Sequence, residues 1–148
     1  MSEQLILEES YVRVWANGAI PCIVVQLRAF ANRTQFKALM NAGLAYYKAH
    51  SQPTRRWGWI ADTRLMSAIP QEVQQWLADD WNMQAYAAGL REMSIVSAAN
   101  ILGQLATQQY AEKAVAASGQ AGLQPVYYES LEEAQHAVAL RCAALSIK

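Results

Sequence analysis

The residues best suited to chemistry in this sequence are Asp62 and Arg64, which stand two positions apart at the end of an aromatic segment. In layered α/β proteins, ligands bind beyond the carboxyl ends of the strands, so a charged cluster at a strand end is a candidate site. A carboxylate placed there can serve as a general base. Asp62 can also accept hydrogen bonds from the amides of the following loop, and this is the role that we expect.

Other candidates for chemistry are sparse. Asp79 and Asp80 occupy adjacent positions that point in different directions on a helix, which is typical of a solvated face. His50 and His136 are far apart and are typical of solvated helix residues, so no metal site is predicted. The sequence contains no nucleophile elbow, no P-loop and no dinucleotide-binding glycine fingerprint. An enzyme is therefore the weakest hypothesis, and no catalytic residue or cofactor is assigned.

Tryptophan is the most unusual component, with five copies in 148 residues. Alternation along a strand sends Trp57 and Trp59 to one face of a sheet, while Trp76 and Trp81 can share one flank of a helix. Such a set could line an apolar groove, or it could fill the core between sheet and helices, which is the interpretation that we favour. The candidate ligand-binding residues are Trp57, Trp59, Asp62, Arg64, Met66, Trp76 and Trp81.

These residues must be positioned by alternating strands and helices. Strands are predicted over residues 5–9, 11–15, 20–27, 56–62, 92–99 and 124–128. Asn17-Gly18 between apolar runs is a strong hairpin signal, so the first strands are expected to form an antiparallel ladder. A helix separates the third and fourth strands, which are therefore expected to be parallel.

Four helices are predicted around this sheet. Asn32 is followed by Gln35, and Ser130 by Glu133, at the spacing of a capping box. The helices are predicted to begin after Asn32, near Pro70, after Asn100 and after Ser130. The sequence thus predicts one α/β domain over residues 1–148, with a mixed sheet, an N-terminal antiparallel ladder and four helices.

Composition argues against several classes of protein. Twelve basic and twelve acidic side chains cancel without a long run of either sign, which argues against a nucleic-acid binder. The amino terminus is acidic and the apolar runs are short, so neither an export signal nor a membrane span is predicted, and a cytoplasmic location is expected. Cys22 and Cys142 fall in a predicted buried strand and on the inner face of a predicted helix, and are expected to be reduced packing residues.

Most of the chain resembles the SpoIIAA-like family, whose fold is shared by bacterial anti-sigma-factor antagonists, STAS domains and the lipid-binding Sec14 lobe. The resemblance rests on the N-terminal strands, the strand end at residues 57–64, the helix at 73–81 and the segment 91–97. It is strongest for small stand-alone bacterial members. It implies a SpoIIAA-like layered fold and a regulatory or interaction role.

One hallmark of the anti-sigma antagonists does not transfer. In those proteins an Asp-Ser-Ser-Gly turn follows the strand that ends in Asp, and its serine is phosphorylated. Here Asp62 is followed by Thr63-Arg-Leu-Met-Ser67-Ala-Ile-Pro70, in which no Asp precedes Ser67 and no Gly follows it. We therefore predict no phosphorylation switch.

Two hypotheses about function are favoured by the sequence. The first is a non-enzymatic interaction or regulatory module that binds a protein partner or a second copy of itself as a homodimer. The alternative is a binder of a small apolar or lipid-like molecule in a groove lined by tryptophans.

Overall fold

The computed structural model describes residues 3–66, 69–96 and 123–147. Within these ranges six strands form one mixed sheet, in which their spatial order is their order along the chain. The strands are β1 (Glu3–Glu9), β2 (Val12–Asn17), β3 (Cys22–Leu27), β4 (Gly58–Asp62), β5 (Glu92–Val96) and β6 (Gln124–Tyr128). β1, β2 and β3 are antiparallel neighbours, whereas β3 to β6 are parallel. The predicted α/β class and mixed sheet are confirmed.

The connection from β2 to β3 shows how a local side chain closes a hairpin. Residues 18–21 form a four-residue loop. Asn17 Oδ1 accepts hydrogen bonds from the amides of Ala19 and Ile20, each at 3.0 Å. Among the described residues only Gly89 has a positive φ, so Gly18 does not adopt the left-handed conformation of a two-residue Asn-Gly turn. The hairpin is therefore closed by the Asn17 side chain.

Helix α1 (Arg33–His50) begins at the predicted capping box. The amide of Gln35 donates to Asn32 Oδ1 at 2.8 Å, and the amide of Asn32 donates to Gln35 Oε1 at 3.0 Å. The helix buries one stripe of side chains, as the sequence predicts. That stripe consists of Phe36, Leu39, Met40, Gly43, Leu44 and Tyr47.

The second helical segment is continuous but contains a wide turn. It consists of α2 (Gln71–Trp76), a π-helical turn (Leu77–Trp81) and α3 (Asn82–Ala87). The segment begins near Pro70 as predicted, with the proline at the N-cap instead of in the first turn. The π turn places both Leu77 and Trp81 in the core. No residue type in the segment predicts a π-helical turn. Gly89, with φ +114°, ends the segment.

Helix α4 (Leu131–Ile147) lies on the opposite face of the sheet from α1. Its start shows half of the predicted capping box: the amide of Glu133 donates to Ser130 Oγ at 3.1 Å, but the Glu133 carboxylate accepts from the amide of Glu129 at 3.4 Å. Gly58 allows a close approach of this helix, because a Cβ there would lie 2.8 Å from Val138 Cγ1.

The predicted four-helix count cannot be compared with the described part of the chain. The helix expected after Asn100, the loop at 119–122 and residues 97–99 of the predicted fifth strand lie outside it. Three helical segments are described, namely α1, the segment from α2 to α3, and α4.

Alternation along the parallel strands separates two apolar layers. One side, here called the α1 face, includes Val25, Trp59 and Ile95 and packs against α1 and the π turn. The other side, here called the α4 face, includes Ile60 and Val96 and packs against α4. Because helices cover both faces of the sheet, the parallel strands are continuous apolar runs in the sequence.

Candidate functional site

The carboxylate of Asp62 is surrounded by hydrogen-bond donors. Asp62 ends β4 and is only 2% exposed. Arg64 donates from Nε to Oδ1 at 2.9 Å and from Nη2 to Oδ2 at 2.7 Å, which is a bidentate ion pair. Gln26 Nε2 donates to Oδ2 at 3.1 Å, and the Arg64 amide donates to Oδ1 at 3.2 Å. The expected hydrogen bond from a loop amide is thus present.

This environment fixes the ionisation of Asp62. Burial alone would raise the pKa of the carboxyl, but hydrogen bonds from Arg64 and Gln26, together with the positive charge of Arg64, outweigh it. The pKa therefore lies below its ordinary value of 3.8. A general base works best with a pKa near the operating pH and with access to the proton that it removes. Asp62 has neither property, and its geometry is that of a structural ion pair.

Asp62 belongs to a row of polar residues that crosses four strands on the α4 face. Glu8, Arg13, Gln26 and Asp62 are register neighbours on β1 to β4. Glu8 also binds Arg28, with 3.4 Å between Oε2 and Nη1. Sequence reasoning missed this row, because strand register is set by pairing between distant segments.

Two large apolar side chains are exposed in the loops that follow β3 and β4. Phe30 follows β3 and is 55% exposed, while Leu65 follows β4 and is 63% exposed. Because β3 and β4 are parallel neighbours, the residues after them emerge at the same end of the sheet. We call residues 28–32 and 63–66 the carboxyl edge. Arg64 lies within it, with 42% of its side chain exposed.

A small apolar cavity lies beneath the carboxyl edge. Its volume is about 40 Å³, and its walls come from β3, β4, β5, α1, the π turn and the loop after β4. The lining includes Met40, Met66 and Met93, and Thr63 is its one polar member among the described residues. Of the candidate ligand residues, Met66 lines this cavity.

The tryptophans occupy different places. Trp59 and Trp81 are fully buried and meet edge to face, with 4.9 Å between ring centroids. Trp81 Nε1 donates to the carbonyl oxygen of Met40 at 3.1 Å. Trp57 and Trp76 are half-buried against the outside of the same core. The structure therefore pairs Asp62 with Arg64, places Met66 in the lining of the separate apolar cavity, and places these tryptophans outside that lining.

The remaining candidates for chemistry are exposed or isolated. Asp79 and Asp80 lie on the surface, where they accept hydrogen bonds from Gln75 and Gln84. His50 is exposed in the last turn of α1. Within residues 3–66, 69–96 and 123–147, no three His, Cys, Asp or Glu side chains are grouped as metal ligands.

The predicted cysteine environment is confirmed for one of the two residues. Cys22 is fully buried in β3. Cys142 lies in α4, but its side chain is outside the described structure. Among the described helices, none is long and apolar enough to cross a membrane.

Comparison of the chain with protein-family models, curated proteins and solved structures finds no match. The resemblance to the SpoIIAA-like family therefore stays a prediction, and function must be inferred from the residues of this chain.

Proposed function

We propose that this chain is a non-enzymatic interaction module of the SpoIIAA-like type, and that it binds a protein partner through its carboxyl edge. The observation that carries the proposal is the exposure of Phe30 and Leu65 in the loops after two neighbouring parallel strands, at the end of the sheet where the Asp62–Arg64 ion pair lies. Large apolar side chains grouped on a surface are typical of interaction sites.

The polar groups of Asp62 and Thr63 form hydrogen bonds within the protein. Asp62 is neutralised by Arg64 and hydrogen-bonded by Gln26. The hydroxyl of Thr63 donates to the carbonyl oxygen of Val96 on the neighbouring strand. Neither group is available as a base or a nucleophile, because each already has its hydrogen-bond partners. Binding without catalysis is the function that this arrangement supports.

The same ion pair prepares Arg64 for recognition. Asp62 holds the Nε and Nη2 sides of the guanidinium, so that the arginine is ordered before a partner arrives. Its exposed part can donate hydrogen bonds to a carboxylate or to a carbonyl oxygen of another protein. Arginine beside large apolar side chains is a frequent composition of interface centres.

The partner that fits is a protein surface with an apolar side chain next to an acidic group. Phe30 and Leu65 would cover the apolar part, and Arg64 would pair with the acid. A second copy of this chain belongs to the same class of partner and would give a homodimer.

The alternative is a binder of a small apolar or lipid-like ligand. The methionine-lined cavity favours it, since methionine side chains adapt to irregular ligands. However, ligand pockets usually measure roughly 300–1,000 Å³. The cavity measures about 40 Å³ and would have to expand severalfold before a ligand could enter. A protein partner requires no such change.

Native mass spectrometry separates these functions. The tagged chain would be purified under native conditions from cells that naturally produce it, alongside the Phe30→Ser/Leu65→Ser variant and the control Leu140→Ser. Leu140 is a matched exposed apolar residue on α4, at 58%. We expect added mass of protein size that is lost in the double variant and kept in the control.

The two functions predict added masses of different size. A small added mass that disappears on denaturation, without a protein-sized partner, would support the apolar-ligand alternative instead. Protein-sized mass that persists in the double variant would place the interface elsewhere and overturn the proposal.

A further inference from the structure

A second cavity lies at the opposite end of the parallel strands. It has a volume of about 190 Å³ and is formed where α1 and α3 end. Its walls include Ser51, Gln52, Arg56, Gly89 and Arg91. The cavity is separate from the carboxyl edge and from the methionine-lined cavity, with which it shares none of its described lining residues.

Arg91 is held in a defined position, and Arg56 lines the same cavity. Arg91 Nη1 donates to the carbonyl oxygens of Tyr86 at 2.8 Å and Leu90 at 3.2 Å, and its guanidinium lies 3.9 Å from the centroid of the Tyr86 ring. Arg56 Nε lies 4.0 Å from the position that a Cβ on Gly89 would take. Both arginines line a space that the absence of a side chain at residue 89 leaves open.

The charge around this space is positive. Its described lining contains two arginines and no acidic residue. Lys48 and Arg55 lie in the flanking segments and add to the basic character of this end. The nearest acid along the chain, Glu92, pairs with Arg141 at 2.9 Å. In a chain of zero formal net charge, this concentration is local and favours an anion.

The carboxyl ends of two helices would oppose an anion if their carbonyl groups were unbonded. In this structure several of these carbonyls already accept hydrogen bonds. The Tyr47 carbonyl accepts from the amide of Ser51 at 2.8 Å, and the Tyr86 carbonyl accepts from the amide of Gly89 at 3.0 Å and from Arg91. These hydrogen bonds reduce the opposition that the helix ends offer to an anion.

We propose that this cavity binds a phosphate dianion, free or as a monoester, between Arg56 and Arg91. The space suits a compact group, because it is smaller than the pockets that hold larger organic ligands. Phosphate oxygens point in several directions, so one group can accept hydrogen bonds from two guanidinium forks. Ser51 and Gln52 add polar side chains to the same wall. The site does not depend on the function of the carboxyl edge.

Isothermal titration of the full chain with inorganic phosphate tests the site, with O-phosphoserine as a second probe and chloride at matched ionic strength as the blank. We expect saturable binding of at least one phosphate probe. Arg56→Gln and Arg91→Gln should each weaken it by about 10- to 100-fold, the usual effect of losing a hydrogen bond to a charged group. Saturation by inorganic phosphate identifies the free ion as sufficient, whereas saturation by O-phosphoserine alone identifies a monoester.

The matched control is Arg55→Gln. Arg55 is adjacent in sequence and equally charged, but it does not line the cavity and donates to the Gly18 carbonyl at 3.4 Å. It should weaken binding much less than either cavity variant, because it removes only a distant charge. Arg91→Lys keeps the charge and provides a milder variant if a glutamine variant fails to fold; it should also weaken binding, because lysine lacks the planar fork. Absence of saturable binding, or an equal loss in Arg55→Gln, would overturn the site.

Discussion

The indole ring of Trp59 lies directly against the backbone of Gly43. A Cβ on residue 43 would stand 2.5 Å from Cη2 of the ring, closer than real Cβ contacts allow. Gly43 lies in the buried stripe of α1, and Trp59 is the second residue of β4. The same ring meets Trp81 of the π turn edge to face. Trp59 therefore sets how closely both helical segments approach the sheet.

This contact predicts that replacing Gly43 by alanine destabilises the protein. Alanine is favoured over glycine in a helix by about 1 kcal/mol. We nevertheless expect Gly43→Ala to lower the free energy of unfolding by about 1–3 kcal/mol, because its methyl group overpacks the core against Trp59. Urea denaturation measures the change. The loss should shrink in a Trp59→Phe background, where Cη2 is gone; a stabilised Gly43→Ala protein would contradict this account.

The two buried indoles should respond unequally to the same substitution. Trp81 Nε1 donates to the Met40 carbonyl at 3.1 Å, whereas Trp59 Nε1 is buried and has no hydrogen-bond partner among the described residues. Trp81→Phe should therefore lower the free energy of unfolding by about 1 kcal/mol more than Trp59→Phe. Guanidinium denaturation of both variants gives the comparison. Equal losses would show that the Trp81 hydrogen bond makes no net contribution.

The Asp62 ion pair predicts a dependence of stability on pH. At pH 7 we expect Asp62→Asn to lower the free energy of unfolding by about 1–2 kcal/mol. This loss is smaller than that expected for a fully buried ion pair, because the side chain of Arg64 is partly exposed. The pKa of Asp62 is lower in the folded than in the unfolded chain, so the stabilisation is present above about pH 4. It is lost as the pH falls through the lower folded pKa.

Unfolding of both proteins at pH 7, 5 and 3 measures this effect. The difference between wild type and Asp62→Asn should be constant from pH 7 to 5 and smaller at pH 3. A difference that grows on acidification would mean that the folded pKa is raised instead.

The features that sequence predicted well are local. The Asn32 and Gln35 capping box depends on residues three positions apart, and its spacing is visible in the sequence. The strand end at Asp62 follows from a short aromatic and apolar run. Distances within such segments are set by the local backbone, so no knowledge of the rest of the fold is needed.

The features that sequence reasoning missed depend on pairing between distant segments. The polar row from Glu8 to Asp62 requires the register of four strands. The contact of Gly43 with Trp59 requires the position of α1 on the sheet. Trp57 precedes β4 and packs beside the Tyr46 and His50 rings, so strand alternation alone did not locate it.

The exposed apolar residues of the carboxyl edge should contribute little to folding. Leu65→Ser should change the free energy of unfolding by less than about 0.5 kcal/mol, because the side chain is 63% exposed and makes a surface contribution. Thermal unfolding of Leu65→Ser and of the control Leu140→Ser should agree within error. A large loss in Leu65→Ser alone would show that Leu65 serves the fold instead of a partner.

Site-specific photo-cross-linking tests the proposed interface most directly. A photoreactive phenylalanine analogue would replace Leu65 in one protein and Leu140 in another, and both would be irradiated in cells that naturally produce the chain. The account predicts a discrete cross-linked product with another protein or with a second copy from position 65, none from position 140, and loss of that product when Arg64→Ala is added. Identical products from both positions, or no product from position 65, would contradict it.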